Sequence, residues 1–356
     1  MPKYSGYLEI SPKGFGFLRQ LSSQFLPSAE DVFVPANLIR SNRLKNGSFL
    51  VGEGEESKNS KQKPRLKSLE TINGLEPVAM MRQVEFKRQV SVNPSSRFNL
   101  VLGEDDVCGR ILNLFTPIGH GQRGLIIAPP KSGKTTILKH IARAVLQNHP
   151  NTKVFVLLVD ERPEEVTDFR RGLPEAGVLA SSADEDSENH IRLTQMMMDV
   201  AIQWAESGSD VLVLVDSLTR MGRAYNRKSN SGGRTLSGGL GANALELPRK
   251  FFGTARNLEN GGSLSIIASI LVDTGSRMDE VIFQEFKGTG NMDLVLSPAC
   301  AERRIWPAIN LNESGTRRED LLLTEEEMRK VAKIRAAIGG AKEVEAMSFV
   351  LQKKLY

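Results

Sequence analysis

The stretch Leu125-Ile126-Ile127-Ala128-Pro129-Pro130-Lys131-Ser132-Gly133-Lys134-Thr135-Thr136 decides how this chain is read. An apolar run is followed by a short turn, then by Ile137, Leu138, Ile141, Ala142 and Val145, which share one face at helical spacing. Ala128 to Thr135 is the phosphate-loop pattern, with Ala in place of the first Gly. Such a loop turns its backbone N–H groups inward around a β-phosphate, and the helix behind it adds its positive end. Pro130, Lys131, Ser132 and Gly133 would form the cradle, with Gly133 allowing close approach of the backbone. Lys134 would reach the β- and γ-phosphates, and the Thr135 hydroxyl would hold Mg2+.

Working outward, Val154–Val159, Val211–Val215, Leu264–Val272 and Leu294–Leu296 are further continuous apolar runs. Runs of this kind belong to strands buried on both faces of a mostly parallel sheet. Residues 109–356 are therefore expected to form an α/β domain, closed near its end by a helix from the Thr324–Glu327 capping box to Gly339-Gly340. Ligands in such sheets gather at the carboxyl ends of the strands. Asp216 ends one run and is expected to hold Mg2+ through water. Glu161, in Asp160-Glu161-Arg162, ends another and is the candidate for polarising the attacking water. The bland alternative is that Asp160 or Glu161 merely caps the segment beginning at Pro163.

Residues 1–73 read differently. Tyr7–Ile10, Gly14–Arg19 and Asp31–Val34 are short β-rich runs separated by Ser, Pro and Gly. Val51–Ser57 looks like a mobile loop, and the cationic run Lys58–Lys67 around Pro64 reads as a solvated loop that beside a nucleic-acid surface could also touch phosphate. Residues 74–108 look like a connector. Phe15 and Phe17 alternate along a strand, so their rings share a face, and Phe33 would add a third ring from a neighbouring strand. The pair resembles the RNA-binding motifs of cold-shock-type OB domains, whose exposed aromatics stack on splayed bases. The competing reading is three core phenylalanines.

Composition agrees with two unlike halves. The chain has 356 residues and a net charge of +5. Residues 1–100 carry +6 and the rest −1, and seven of the 21 aromatics lie in the first fifty positions. Basic and aromatic together suit single-stranded nucleic acid. No apolar run approaches the ~20 residues of a membrane span, and the N-terminus lacks a secretory core. Cys108 and Cys300 stand apart, against a disulfide framework or a zinc site. A reducing, cytoplasmic setting is expected.

Taken together, several stretches carry a resemblance. They are Gly14–Arg19, Pro117–Gly124, the phosphate loop, Asp160–Val166, Asp216–Arg220, Glu285–Met292 and Gly315–Arg318. From Gly6 to Lys354 the chain resembles the Rho family of transcription termination factors. The resemblance implies a RecA-like ATPase domain behind an OB barrel, assembled as a homohexameric ring with ATP sites between subunits. It implies translocation along single-stranded RNA and termination of transcription by pulling on the nascent RNA of the RNA polymerase complex. ATP contacts would include Thr136, Arg162 and Trp306 besides the loop, with Trp306 beside the adenine. Arg317 falls on the family's arginine finger. RNA would meet Phe15, Phe17, Arg19 and Phe33 in the barrel. In the pore it would meet Arg234, Thr235, Gly238 and Gly239 of one loop and Arg277 of the Thr274–Arg277 loop.

Three departures accompany it. Relatives usually carry a helical bundle ahead of the barrel, whereas Met1 lies a few residues before the first strand. An aromatic late in the barrel has no counterpart in Gln62-Lys63-Pro64-Arg65. Arg277 stands where many relatives have Lys. The rival readings are a rotary or secretion-type ATPase acting on protein, and a non-catalytic OB regulator. The first leaves Lys13-Gly14-Phe15-Gly16-Phe17 unexplained. The second leaves Lys134, Thr135, Glu161, Asp216 and Arg317 unexplained.

Overall fold

A computed structural model describes residues 1–56, 62–182, 185–229, 239–241 and 243–356. The first unit is a closed barrel in the order β1 (Lys3–Ile10), β2 (Gly16–Arg19), β3 (Val32–Val34), β5 (Arg65–Ile72) and β4 (Phe49–Glu55). Leu8, Leu18, Val32, Val34, Leu50, Leu66 and Ile72 fill it. The segment read as a mobile loop, Val51 onward, is in fact the body of β4. Its glycines explain why. A Cβ on Gly52 would lie 2.0 Å from Ser68 O and one on Gly54 2.4 Å from Arg65 O, at two bulges where β4 crowds β5. β5 likewise begins inside the run read as solvated.

The second unit is an α/β sheet. Its strands are β6 (Ser91–Val92), β7 (Arg123–Ala128), β8 (Lys153–Glu161), β9 (Gly177–Ser182), β10 (Asp210–Asp216), β11 (Arg256–Leu258), β12 (Ser263–Leu271), β13 (Met292–Val295) and β14 (Gly315–Thr316). Along the sheet the order is β14-β13-β7-β12-β10-β8-β9, with β11 and β6 attached beyond β12. The strands from β13 to β9 are parallel to one another. Each face is covered by its own core. One holds the Lys134–Asn148 helix against Ile126, Ala128, Leu212 and Leu214; the other holds the Ser187–Glu206 helix against Leu125, Val213 and Val215. Burial on both sides is why these strands read as continuous apolar runs.

The connector is more deeply built in than its sequence suggested. Phe86, Phe98 and Leu100 are buried in the cores of the sheet, and Ser91–Val92 pairs with β11. The Thr324 capping box opens the helix Glu325–Ile338 as expected. The barrel rests on the Ser187–Glu206 helix. There Phe49 stacks on Trp204 at 5.8 Å, Ser48 Oγ donates to Gln203 Oε1 at 3.2 Å and Lys45 pairs with Glu206 at 2.7 Å. Among the described residues, no helix is long and apolar enough to cross a membrane.

Candidate functional site

The phosphate loop leaves β7 and enters the Lys134–Asn148 helix through Gly133, whose φ is +91°. That left-handed turn suits glycine, and space demands it as well: a Cβ there would lie 1.8 Å from the Trp306 ring. Trp306 thus lies over the loop, with its indole against Gly133. Ser132 is buried and ties the turn by donating to Pro129 O at 2.6 Å. Pro130, Lys131 and Thr136 face solvent. Arg162 is also exposed and begins the Pro163–Gly172 helix without a side-chain cap.

Lys134 turns back onto the strand ends. Its ammonium donates to Asp216 Oδ1 and lies 3.8 Å from Glu161 Oε2. Asp216 and Glu161 are fully buried. Alternation along β10 carries Asp216 to the same face as Leu212 and Leu214, toward the Lys134 helix. Glu161 owes its aim to an irregularity. The β8–β9 register slips between Val159 and Glu161, leaving Asp160 unpaired with φ at +57°. A bulge of this kind re-aims the side chain that follows it. Arg220 fixes the result, donating to Glu161 Oε1 at 2.9 Å and to Asp160 O, while Arg162 N donates to the same Oε1 at 3.1 Å.

Burial, and after it the neighbouring Asp216 carboxylate, push Glu161 above the ordinary glutamate range; Lys134 and Arg220 oppose this only in part. Glu161 Oε2 and Asp216 Oδ2 are buried with no hydrogen-bond partner. Together with Glu165 these carboxylates lie within 4.8 Å of one another, and Thr135 Oγ1 donates to Glu165 Oε2 at 3.3 Å. A hard divalent cation takes oxygen ligands of this kind, often few from protein and the rest from phosphate and water. The residues fit Mg2+.

Glu165, Arg220 and Ser269, which donates to Asp216 Oδ1 at 2.9 Å, were not singled out from the sequence. Glu165 and Arg220 follow Glu161 and Asp216 by four residues, in the first turn of the helix after each strand, so closeness along the chain offered a signal for those two. Ser269 comes from β12, and only folding delivers it.

Arg317 lies elsewhere. Thr316 and Gly124 flank Met292 on either side of β13, and Arg317 N donates to Asn291 O at 2.9 Å. Arg317 therefore stands beside the start of β7, whereas the phosphate loop leaves its far end, about 16 Å away at strand spacing. Arg317 is exposed. The plain surface alternative for Arg317, an ion pair with Glu319 or Asp320, does not form among the described residues, and Asp320 pairs instead with Arg318 at 3.0 Å.

In the barrel, Phe15, Phe17 and Phe33 form a half-buried cluster, with centroids 5.4–5.9 Å apart, outside the barrel core. The reading as core phenylalanines does not hold, because Leu8, Leu18, Val32 and Val34 occupy that interior. Lys63 lies over Phe17 at 5.3 Å and Arg65 over Phe33 at 5.8 Å, so cations border the aromatic patch. Arg19 is buried, pairing with Glu9 at 2.6 Å and with Asp31.

Arg277 is exposed at the start of the Arg277–Lys287 helix, capped by Ser276. Gly239, with φ +76°, accepts from Asn226 Nδ2 at 3.0 Å. Arg234, Thr235 and Gly238 lie outside the described residues.

Residues 109–316 match the family model described as the ATP synthase alpha/beta family, nucleotide-binding domain. Residues 4–78 match the Rho termination factor, RNA-binding domain. Fold and matches together define a P-loop ATPase carrying an RNA-binding barrel. Proteins named transcription termination factor Rho are 45% identical in Haemophilus influenzae, 44% in Escherichia coli K12 and 43% in Borreliella burgdorferi, covering 98% of this chain and 83%, 84% and 68% of theirs. The chain belongs to the Rho family of transcription termination factors. Among solved structures, a prototypical ATPase from the type III secretion system of pathogenic bacteria superposes with a TM-score of 0.61. It is 24% identical, over 70% of each chain, and shares the fold.

Proposed function

We propose that this chain is one subunit of a homohexameric, RNA-stimulated ATPase that moves along single-stranded RNA and terminates transcription by pulling on the nascent strand at RNA polymerase. The observation that carries the reading is the pairing, in one chain, of the buried Lys134–Asp216–Glu161 cluster with an aromatic patch held outside the barrel core. Pro130–Thr136 would cradle the phosphates, with Arg162 and Trp306 completing the ATP contacts once the indole lifts from Gly133. Lys134 neutralises phosphate charge. Glu161 orients water for attack on the γ-phosphate. Thr135 and Asp216 would hold Mg2+, which when bound offsets charge on the phosphate oxygens. Phe15, Phe17 and Phe33 stack bases, and Arg19 holds the patch in shape through Glu9 and Asp31. Arg277 and the Gly239 loop contact RNA in the ring's pore.

ATP hydrolysis measured with and without a C-rich single-stranded RNA tests the reading. Strong stimulation is expected; equal rates would exclude RNA-driven translocation.

The patch makes its own prediction. Phe15→Ala with Phe17→Ala is expected to weaken single-stranded RNA binding by about 2–6 kcal/mol, since each stacked base contributes about 1–3. The salt dependence should hardly change, because rings meet bases and not phosphates. Filter binding across salt concentrations checks both statements. A parallel thermal melt should show little loss, as neither ring fills the core.

A further inference from the structure

The loop joining β2 to β3 leaves the barrel at Arg19 and returns at Asp31, and those two residues pair across its base. Its tip enters the other domain. Phe25 is fully buried there, edge-on to Tyr7 at 5.4 Å. Arg192 donates to Phe25 O at 3.0 Å and to Gln24 O at 3.2 Å. Gln24 and Phe25 are both left-handed, with φ of +55° and +57°, a conformation non-glycine residues adopt rarely and hold only when surroundings enforce it. What it achieves is the placement of one amide. Gln24 Nε2 donates to Val178 O at 3.3 Å, and Gln24 Oε1 accepts from Ala180 N at 2.6 Å.

Val178 and Ala180 belong to β9, the last strand of the sheet. The outward N–H and C=O groups of an edge strand have no strand partner. A primary amide offers the same donor and acceptor as a peptide group, so Gln24 supplies a rung of the missing ladder. On its other side β9 pairs with β8, from Phe155↔Gly177 through Val159↔Ser181 to Glu161↔Ser182, across the bulge that aims Glu161. The Gln24 rung at Ala180 is therefore two residues from the backbone that registers Glu161. The same covalent loop carries Arg19 and Asp31 at its base, beside Phe17 and Phe33 of the aromatic patch.

We propose that Gln24 is a positioning residue for ATP hydrolysis. By pinning β9 it fixes the bulged end of β8, and Glu161 takes its working orientation only while the barrel loop is docked. The link to RNA rests on the function proposed above: bases stacked on Phe17 and Phe33 load the base of the loop whose tip holds β9. No contact between Gln24 and ATP or RNA is required.

The test uses the full chain with saturating C-rich RNA. Gln24→Met keeps the length and packing of the side chain and removes the rung. Its kcat is expected to fall about tenfold, less than the ~100-fold that a 1 Å misplacement of reacting groups costs. KM for ATP and the RNA Kd should stay within about twofold, and the Ala180 amide should lose protection in hydrogen exchange while the rest of β9 keeps it. Gln24→Glu retains the acceptor for Ala180 N and should recover part of the rate. A Gln24→Met kcat within twofold of the unsubstituted protein overturns the proposal. So does a matching rise in KM or RNA Kd, which would mark general loosening. If the unsubstituted protein is not stimulated by RNA, the functional reading fails; if it is stimulated and Gln24→Met is stimulated equally, only this inference fails.

Discussion

Arg317→Ala is expected to bind ATP and RNA normally and to hydrolyse ATP at most a thousandth as fast as the unsubstituted protein. The sheet gives the reason. Arg317 stands by the start of β7 and the phosphate loop at its end, so the guanidinium has no route to the γ-phosphate of its own chain. In the proposed ring it would serve a neighbour, as a head-to-tail interface allows. An arginine finger contributes roughly 10³ to 10⁵ in rate, or about 4–7 kcal/mol at 1.36 per decade. A surface role would amount to under about 1 kcal/mol, and Asp320, three residues along the chain, is already paired with Arg318. The two magnitudes do not overlap. Mixing Arg317→Ala with Lys134→Ala chains should restore activity, because at random about a quarter of interfaces would pair an intact loop with an intact arginine. Hydrolysis in the mixture, with neither variant active alone, is the expected signature. Near-normal hydrolysis by Arg317→Ala alone would remove it from the mechanism.

Glu161→Gln should separate catalysis from stability. Hydrolysis is expected to fall by about 10²–10⁴, the usual contribution of a positioned base, while ATP binding persists because Lys134 and the loop are untouched. The pH profile carries the sign. Glu161 must be ionised to orient water, and burial beside Asp216 raises its pKa. The acid limb of kcat/KM should therefore lie above the ordinary glutamate range, with activity lost as pH falls through it. The same shift runs the other way for folding. A carboxyl whose folded pKa is raised binds its proton more tightly when folded, so its ionisation lowers stability as pH rises through that pKa. Gln, uncharged and still able to accept from Arg220, should then raise the melting temperature at neutral pH. A variant that is inactive and less stable would mean that Lys134 and Arg220 more than offset the burial.

Local features of this fold were legible because near neighbours along the chain create them. The phosphate loop, the Thr324 cap and the strands around Val156 and Val213 follow from turn chemistry, capping and two-sided burial, and each leaves its pattern within a dozen residues. β4, β9 and Ser91–Val92 left little pattern. Glycines demanded by a bulge read as loop, and a short strand is recognisable only by its partner. Phe15, Phe17 and Phe33 show the same limit, since alternation puts them on one face without saying which face is the interior. The sequence by itself determined the class of chemistry: a Lys, a Thr and two strand-end carboxylates have the makings of a nucleotide site. Tertiary structure alone decided how they act. It bulged Asp160 outward so that Glu161 turned in, brought Arg220 and Ser269 to the carboxylates, set Arg317 at the wrong end of the sheet for its own loop and laid Gln24 along β9. These are contacts between residues tens to more than a hundred positions apart, fixed by packing and pairing across the fold, and no local pattern encodes them.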